Sequence, residues 1–300
     1  MFRYVFLSLA IMLLGACSKD SISNCAVEKN IARLSADSYV VMRSRGHGMF
    51  SILDDLLSVL YAYEKGRIKG VSVDFADTGL YYDPRKGPNW FSYYFEPVSV
   101  GAGGDRTEVT CVPYENDPLV KKMGIYAIQH IEFARVTRTE AHRLIAKYLK
   151  LKPEIKQKVS SFVDANFKNN YMISIHYRGT DKISEARRTA YDEVDLAVAQ
   201  VVRDEHLSRY KIFVATDEQG FIEHAEKKFG DVCFQEAIRS TGRKPIHFNN
   251  ENPYRAGEEA LVDALLLSRA DFLIRTSSNL SRWSTYFNPA LKVLELSIRW

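Results

Sequence analysis

Apolar positions along this chain fall into two rhythms, a period of two and a period near 3.6, and they alternate in a regular order. The run Tyr39 to Met42 predicts a strand. After the segment Arg43-Ser44-Arg45-Gly46-His47-Gly48, apolar residues recur at Ile52, Leu53, Leu56, Leu57, Leu60 and Tyr61, which predicts a helix from Met49 to about Lys65. Gly70 to Phe75 reads as a second strand, so the chain opens with a strand, glycine turn, helix, strand unit. A loop-rich stretch follows, with Pro84, Gly87, Pro88 and the glycines between 101 and 104. Within it, Asn89 to Pro97 is dense in aromatics, either a core cluster or the lining of a sugar site. Thr137 and Glu140 fit a capping box for a helix whose stripe is Ala141, Leu144, Ile145, Tyr148 and Leu149. Pro153 suits the first turn of another helix, carrying Ile155, Val159, Phe162 and Val163.

Beyond Asn169-Asn170 the alternation is cleaner. Strands are predicted at Tyr171 to Tyr177, Lys211 to Ala215, Ile246 to Phe248, Asp271 to Ile274 and Leu291 to Leu296. Helices are predicted at Asp192 to Arg203, Glu218 to Phe229, Gly257 to Arg269 and Asn279 to Phe287. That order implies an α/β chain with a doubly wound parallel sheet in its second half. Two Rossmann-like domains facing a cleft are expected, 37–169 and 170–300, behind a leader at 1–17 and a tether at 18–36.

The leader changes the picture of where the chain works. Arg3 precedes an apolar run, Tyr4 to Leu14, too short for the roughly 20 residues a spanning helix needs but suited to a signal peptide. Leu14-Gly15-Ala16-Cys17 resembles a bacterial lipobox, with Cys17 as the lipidation site and a lipid-anchored, membrane-associated protein as the consequence. An ordinary signal sequence, placing the chain in a lumenal or secretory compartment of a non-bacterial host, is the alternative. Cys25, Cys111 and Cys233 are odd in number and too widely spaced for a disulfide framework or a metal pair, which leaves buried free thiols or a single bridge. The charge changes little: 41 basic and 37 acidic residues leave +4, with no block of like charge, so no nucleic-acid partner is expected.

Three places carry candidate chemistry. On the strand ending at Tyr177, period-two alternation puts Ser174, His176 and Arg178 on one side. His176 and Arg178 then project at the carboxyl end of a parallel strand, where open α/β sheets bind ligands, and arginine's planar fork matches phosphate oxygens. Asp263 lies in an apolar run, Ala260 to Leu267, where a carboxylate needs a partner. That partner is either an arginine of a neighbouring layer or the paired N–H donors of a guanine edge. Thr276-Ser277-Ser278-Asn279 follows a strand and opens a helix, which serves N-capping and also anion binding.

These residues carry a resemblance. His176-Tyr177-Arg178-Gly179-Thr180-Asp181-Lys182 resembles the His-x-Arg-Arg-Thr-Asp-Lys motif of α1,6-fucosyltransferases. Val214-Ala215-Thr216-Asp217-Glu218 resembles their second motif, and Asp263 through Ser277-Ser278-Asn279-Leu280-Ser281-Arg282 the third. Gly46-His47-Gly48-Met49 resembles the glycine turn of protein O-fucosyltransferases and nodulation fucosyltransferases. The resemblance implies a GT-B-like fold, with the first half on the acceptor side. It also implies a GDP-fucose donor, a glycan or glycoconjugate acceptor, and metal-independent inversion with no cofactor. It further implies nucleotide contacts from Gly46, His47, Gly48, His176, Asp217, Asp263, Ser277 and Ser278, and catalytic roles for Arg178, Lys182 and Glu185. Gly179 departs from the motif's second arginine, and Glu185 stands one residue closer to the lysine than the family's candidate base. A non-catalytic glycan- or nucleotide-binding lipoprotein that keeps the fold is the alternative.

Overall fold

A computed structural model describes residues 35–76, 79–110, 137–180, 188–241 and 252–296. Cys17 and the leader, Cys25, Cys111, Lys182, Glu185 and the strand expected at Ile246 to Phe248 lie outside the described residues.

The first half is built on a sheet of order β3-β2-β1-β4. Its elements are β1 (Ser38–Met42), α1 (Met49–Glu64), β2 (Gly70–Val73), β3 (Ser99–Gly101) and β4 (Asp105–Val109). β1 pairs in parallel with β2 and with β4, so the βαβ reading of the first 40 described residues holds. β3 runs antiparallel to β2, which makes the sheet mixed. Neither β3 nor β4 was expected, because polar and glycine residues dominate both. The turn between them crosses the ends of β2 and β1, and glycine is required there. A Cβ at Gly101 would stand 2.0 Å from the Lys69 carbonyl oxygen, and one at Gly104 2.0 Å from that of Asp37. Both residues also have positive φ.

α2 (Arg138–Tyr148) and α3 (Pro153–Asn166) follow. Thr137 caps α2, its hydroxyl accepting the Glu140 N–H at 3.2 Å. Glu140 turns its side chain to Arg143 instead of closing the box.

The second half is a parallel sheet of order β7-β6-β5-β8-β9. It comprises β5 (Met172–Tyr177), α4 (Tyr191–Asp204), β6 (Lys211–Thr216), α5 (Gln219–Phe229), β7 (Val232–Cys233), α6 (Pro253–Leu267), β8 (Phe272–Arg275), α7 (Asn279–Phe287) and β9 (Lys292–Glu295). The doubly wound expectation is met, with the short β7 unanticipated. α4 and α5 cover one face, where Ile173, Ile175 and Tyr177 pack with Val198, Phe221 and Ile222.

The other face carries α6 and α7, and its core runs without a break into the first half. Leu53 and Leu56 of α1, Leu144 of α2, Leu265 of α6 and Trp283 of α7 belong to one apolar cluster. The aromatic segment joins it: Trp90, Phe91, Tyr94 and Phe95 are fully buried, so core packing is the reading that holds. Polar anchors cross the same seam. Asp54 of α1, itself fully buried, accepts from the Trp283 indole at 2.8 Å and pairs with Arg282 at 2.5 Å. Its neighbour Asp55 pairs with Arg45 at 2.6 Å. Two carboxylates on one apolar helix are tolerable only because each has a cation beside it.

Candidate functional site

β5 and β8 flank the point where the connectivity of the second sheet reverses. At such a point adjacent loops leave in opposite directions and open a crevice above the strand ends. Here the rim is tied across. The Thr276 N–H donates to the His176 carbonyl at 3.0 Å, and the Thr276 hydroxyl accepts the Arg178 N–H at 2.9 Å.

Arg178 is held from the neighbouring strand as well. Its Nε lies 3.1 Å from Asp217 Oδ2, and its side chain is only 14% exposed. Asp217, just past β6, also accepts the Gly179 N–H at 3.0 Å and the Thr180 hydroxyl at 2.6 Å. Three donors from consecutive residues converge on one carboxylate, which fixes the loop that carries the arginine. Expected as a nucleotide contact, Asp217 lines the crevice and is committed to this loop.

The crevice contains a cavity of about 90 Å³, lined by Tyr81, His176, Arg178, Asp217, Ile238 and Asp263 among others. That is smaller than the ~300–1,000 Å³ of ordinary ligand pockets, room for one end of a ligand. A wider groove of about 960 Å³ lies beside it, walled by Lys86, Phe162, Phe234 and Tyr254. Its charges are largely paired with one another, Lys158 with Glu258 and Arg255 with Glu259. The smaller cavity holds the convergent chemistry.

Burial, reinforced by Arg178 and Arg275, pulls the His176 imidazole down to about 3. The ring is therefore neutral, and its buried Nδ1 has no hydrogen-bond partner among the described residues. Burial pushes the Asp263 carboxyl the other way, up to about 7, against a hydrogen bond from Gln235 and the nearby Arg239. Of the two partners the sequence left open, the structure places an arginine near Asp263, yet its direct bond is to Gln235, 2.5 Å from Oδ1.

Ser278 caps α7, its hydroxyl accepting the Leu280 N–H at 3.3 Å, and Ser277 beside it is buried. Arg275 fastens the same turn by donating to the Ser278 carbonyl at 3.2 Å. Gly46, His47 and Gly48 are exposed and do not line the cavity themselves. Their link to it is Tyr81. Its hydroxyl accepts the Met49 N–H at the start of α1, 3.0 Å away, and its ring packs on Trp90. No acceptor among the described residues takes the Tyr81 proton, and Tyr81 lines the cavity with Arg178. Sequence reasoning missed Tyr81 and Gln235, because both lie in irregular segments where no period marks a facing side. Among the described residues, no group of three His, Cys, Asp or Glu side chains is placed to hold a metal ion. No described helix is long and apolar enough to cross a membrane.

Residues 133–299, more than half the chain, match the sequence profile described as Nodulation protein Z (NodZ). The chain belongs to the NodZ family. Nodulation protein Z of Bradyrhizobium diazoefficiens is 28% identical over 170 residues, 53% of this chain and 45% of that protein. The match thus spans less than half the length of this NodZ relative. Among solved structures, NodZ α1,6-fucosyltransferase soaked with GDP-fucose superimposes with a TM-score of 0.58 at 19% identity, covering 87% of this chain and 99% of that one. POFUT1 in complex with GDP superimposes with a TM-score of 0.50 at 11% identity, covering 86% and 97%. The fold is that of the GT-B fucosyltransferases.

Proposed function

We propose that this NodZ-family chain is an inverting glycosyltransferase that moves fucose from GDP-fucose to a hydroxyl of a glycan or glycoconjugate. The observation that carries the reading is the convergence of Arg178, Asp263 and neutral His176 on one crevice, with the capped start of α7 beside them. Relatives solved with GDP-fucose and with GDP supply the ligand class. Asp263 accepts from the guanine N1–H and exocyclic amine, and His176 offers its unpartnered ring nitrogen to the same base. Arg178 and the Ser277–Ser278 turn face the diphosphate.

In the transfer step the bond from the sugar's anomeric carbon to the β-phosphate oxygen breaks as the acceptor oxygen attacks from the opposite face. The acceptor proton passes to a carboxylate base, for which Glu185 is the candidate, and GDP leaves. Arg178 and the helix start stabilise the charge growing on the diphosphate, in place of a cation, with Lys182 assisting. Where the motif has a second arginine, a side chain at Gly179 would meet Glu218, whose Oε2 lies 1.8 Å from an added Cβ. The α1,6 linkage is therefore not part of the proposal. Lipidation at Cys17 would hold the enzyme at a membrane; Cys17→Ser should then release it.

The missing arginine favours the second reading, a non-catalytic nucleotide or glycan binder. The deciding assay is GDP release from GDP-fucose with a panel of glycan acceptors in the presence of chelator. The enzyme reading expects turnover with chelator, and Glu185→Gln should lower it by ~10²–10⁴ with GDP binding intact. No release with any acceptor would establish the binder. An absolute metal requirement would remove the charge role assigned to Arg178.

A further inference from the structure

Residues 235–240 leave β7 and lie along α6 beside the cavity, to which Ala237 and Ile238 contribute. They are fastened at several points. Gln235 Nε2 donates to Asp263 Oδ1 at 2.5 Å and to the Glu259 carbonyl at 2.8 Å. Both amide protons thus go to acceptors on one helix, which determines which way the amide faces. The Ile238 N–H donates to Glu259 Oε2 at 3.2 Å, and Arg255 holds the other Glu259 oxygen at 2.6 Å. Arg239 returns to the Gln235 carbonyl at 2.6 Å, so the segment that presents Gln235 is closed on itself.

We propose that Gln235 is a positioning residue for base recognition, fixing the plane of the Asp263 carboxylate and favouring its charged form for the paired donors of guanine. The inference rests on the guanine reading given above. An amide N–H stabilises a carboxylate more than a carboxylic acid, and Asp263, half-buried in the crevice wall, has few other sources of that help. The groups around Asp263 are Glu259 on its own helix, Gln235 and Arg239 after β7, His176 and Arg178 at the end of β5, Asp217 past β6, and Tyr81 from the first half. Burial and Glu259 oppose ionisation, Arg239 supports it from a distance, and Gln235 is the direct donor. Oδ1 keeps a second lone pair, and Oδ2 has no partner among the described residues, so both oxygens can still accept from a base.

The test is calorimetry of GDP, IDP and ADP with the full chain, its Gln235→Leu variant and its Gln235→Glu variant, from about pH 6 to about pH 8.5. The wild type should prefer GDP to ADP, with GDP affinity rising through about pH 7. Gln235→Leu should lose about tenfold in GDP affinity below neutrality and regain most of it at the alkaline end, because its midpoint moves up by about one pH unit. Gln235→Glu is near-isosteric, guards against a folding failure, and should move the midpoint further through like-charge repulsion. ADP should bind all three proteins alike, and the preference for GDP over IDP should shrink in both variants at low pH. A loss of equal size at every pH would leave Gln235 merely structural and overturn the inference. Wild-type selectivity with variants that track the wild type would overturn it while sparing the guanine reading. Equal binding of GDP and ADP by the wild type would remove both.

Discussion

At the Arg178 end of the crevice, each of the three residues Arg178, Gly179 and Thr180 is bonded within the protein. Asp217 takes donors from Arg178, Gly179 and Thr180, and Thr276 ties that loop to β8. At the Asp263 end the groups are fewer and less satisfied. Among the described residues, His176 has a buried nitrogen without a partner, and Asp263 is pushed up to about 7 with one direct donor. On the proposed reading the first end meets a diphosphate, charged at every working pH, and needs only fixed geometry, which the bonded loop provides. On the same reading the second end must tell one base from others. Partly unsatisfied groups do this, because the wrong base leaves them unpaired at a cost. On that reading the rigid end would supply strength, and the less satisfied end selectivity together with a dependence on pH.

The contrast is broken most sharply by Arg178→Lys. Lysine keeps the charge but cannot reproduce the planar fork that bonds Asp217 through Nε. Turnover, read as GDP release, should fall by about 10²–10³ at every pH, as for other lost oxyanion donors. A merely several-fold loss would mean that charge alone suffices there.

Asp263→Asn comes next. It should weaken GDP by about 1–3 kcal/mol and leave ADP nearly unchanged, because on the proposed reading one of the two guanine donors would then face an amide NH2 instead of an acceptor. Competition between the two nucleotides measures this, and a parallel loss for both would erase the assigned division between the ends.

Gly179→Ala tests how rigid the Arg178 loop is. A Cβ there stands 1.8 Å from Glu218 Oε2 and 2.7 Å from Tyr177 Cε1. Glu218 is restrained by Arg188 at 2.8 Å and by Tyr191 at 3.0 Å. The variant should lose about 1–3 kcal/mol of stability in denaturant unfolding, as overpacking does elsewhere. An unchanged midpoint would show that Glu218 swings aside freely.

The smallest effect is the dependence on pH. Burial raises the Asp263 carboxyl from 3.8 to about 7. The free protein therefore holds that proton more tightly than the unfolded chain, and this group's contribution to stability declines as pH rises through that window. His176, lowered to about 3, acts in the opposite sense, favouring the fold as pH rises through the ordinary histidine range. Folding is thus a blunt readout, and binding is the clean one. On the proposed reading GDP selects ionised Asp263, so affinity should rise several-fold between about pH 6 and pH 8 and then level off. Arg178→Lys should keep that profile, whereas Asp263→Asn should flatten it.

Legibility from sequence followed the same division. The strand ending at Tyr177 was readable to within one residue because its alternation is strict, and with it the shared side of His176 and Arg178. The cap of α7 at Ser278 was readable because capping is local chemistry. β3 and β4 were not, since edge strands of polar residues have no apolar period, and their partners are supplied by β2 and β1. In α1 the apolar stripe was legible. The burial of Asp54 and Asp55 was not, because a helix wrapped by both halves buries its polar side too.

By itself, then, the sequence determined which residues reach the strand ends, in what order the motifs occur, and which side chains are capable of holding an anion. These follow from backbone periods and from interactions within a few residues. Tertiary structure alone decided what each charged group meets. Arg282 reaches Asp54 across 228 positions, Gln235 reaches Asp263 across 28, and Tyr81 enters a cavity formed mainly by the other half. Such pairings depend on how crossover connections fold one layer over another, and burial by those layers sets which charged forms persist. That is why the same carboxylate, read as an isolated residue, allowed two partners, and in the folded chain has a neighbour that neither reading named.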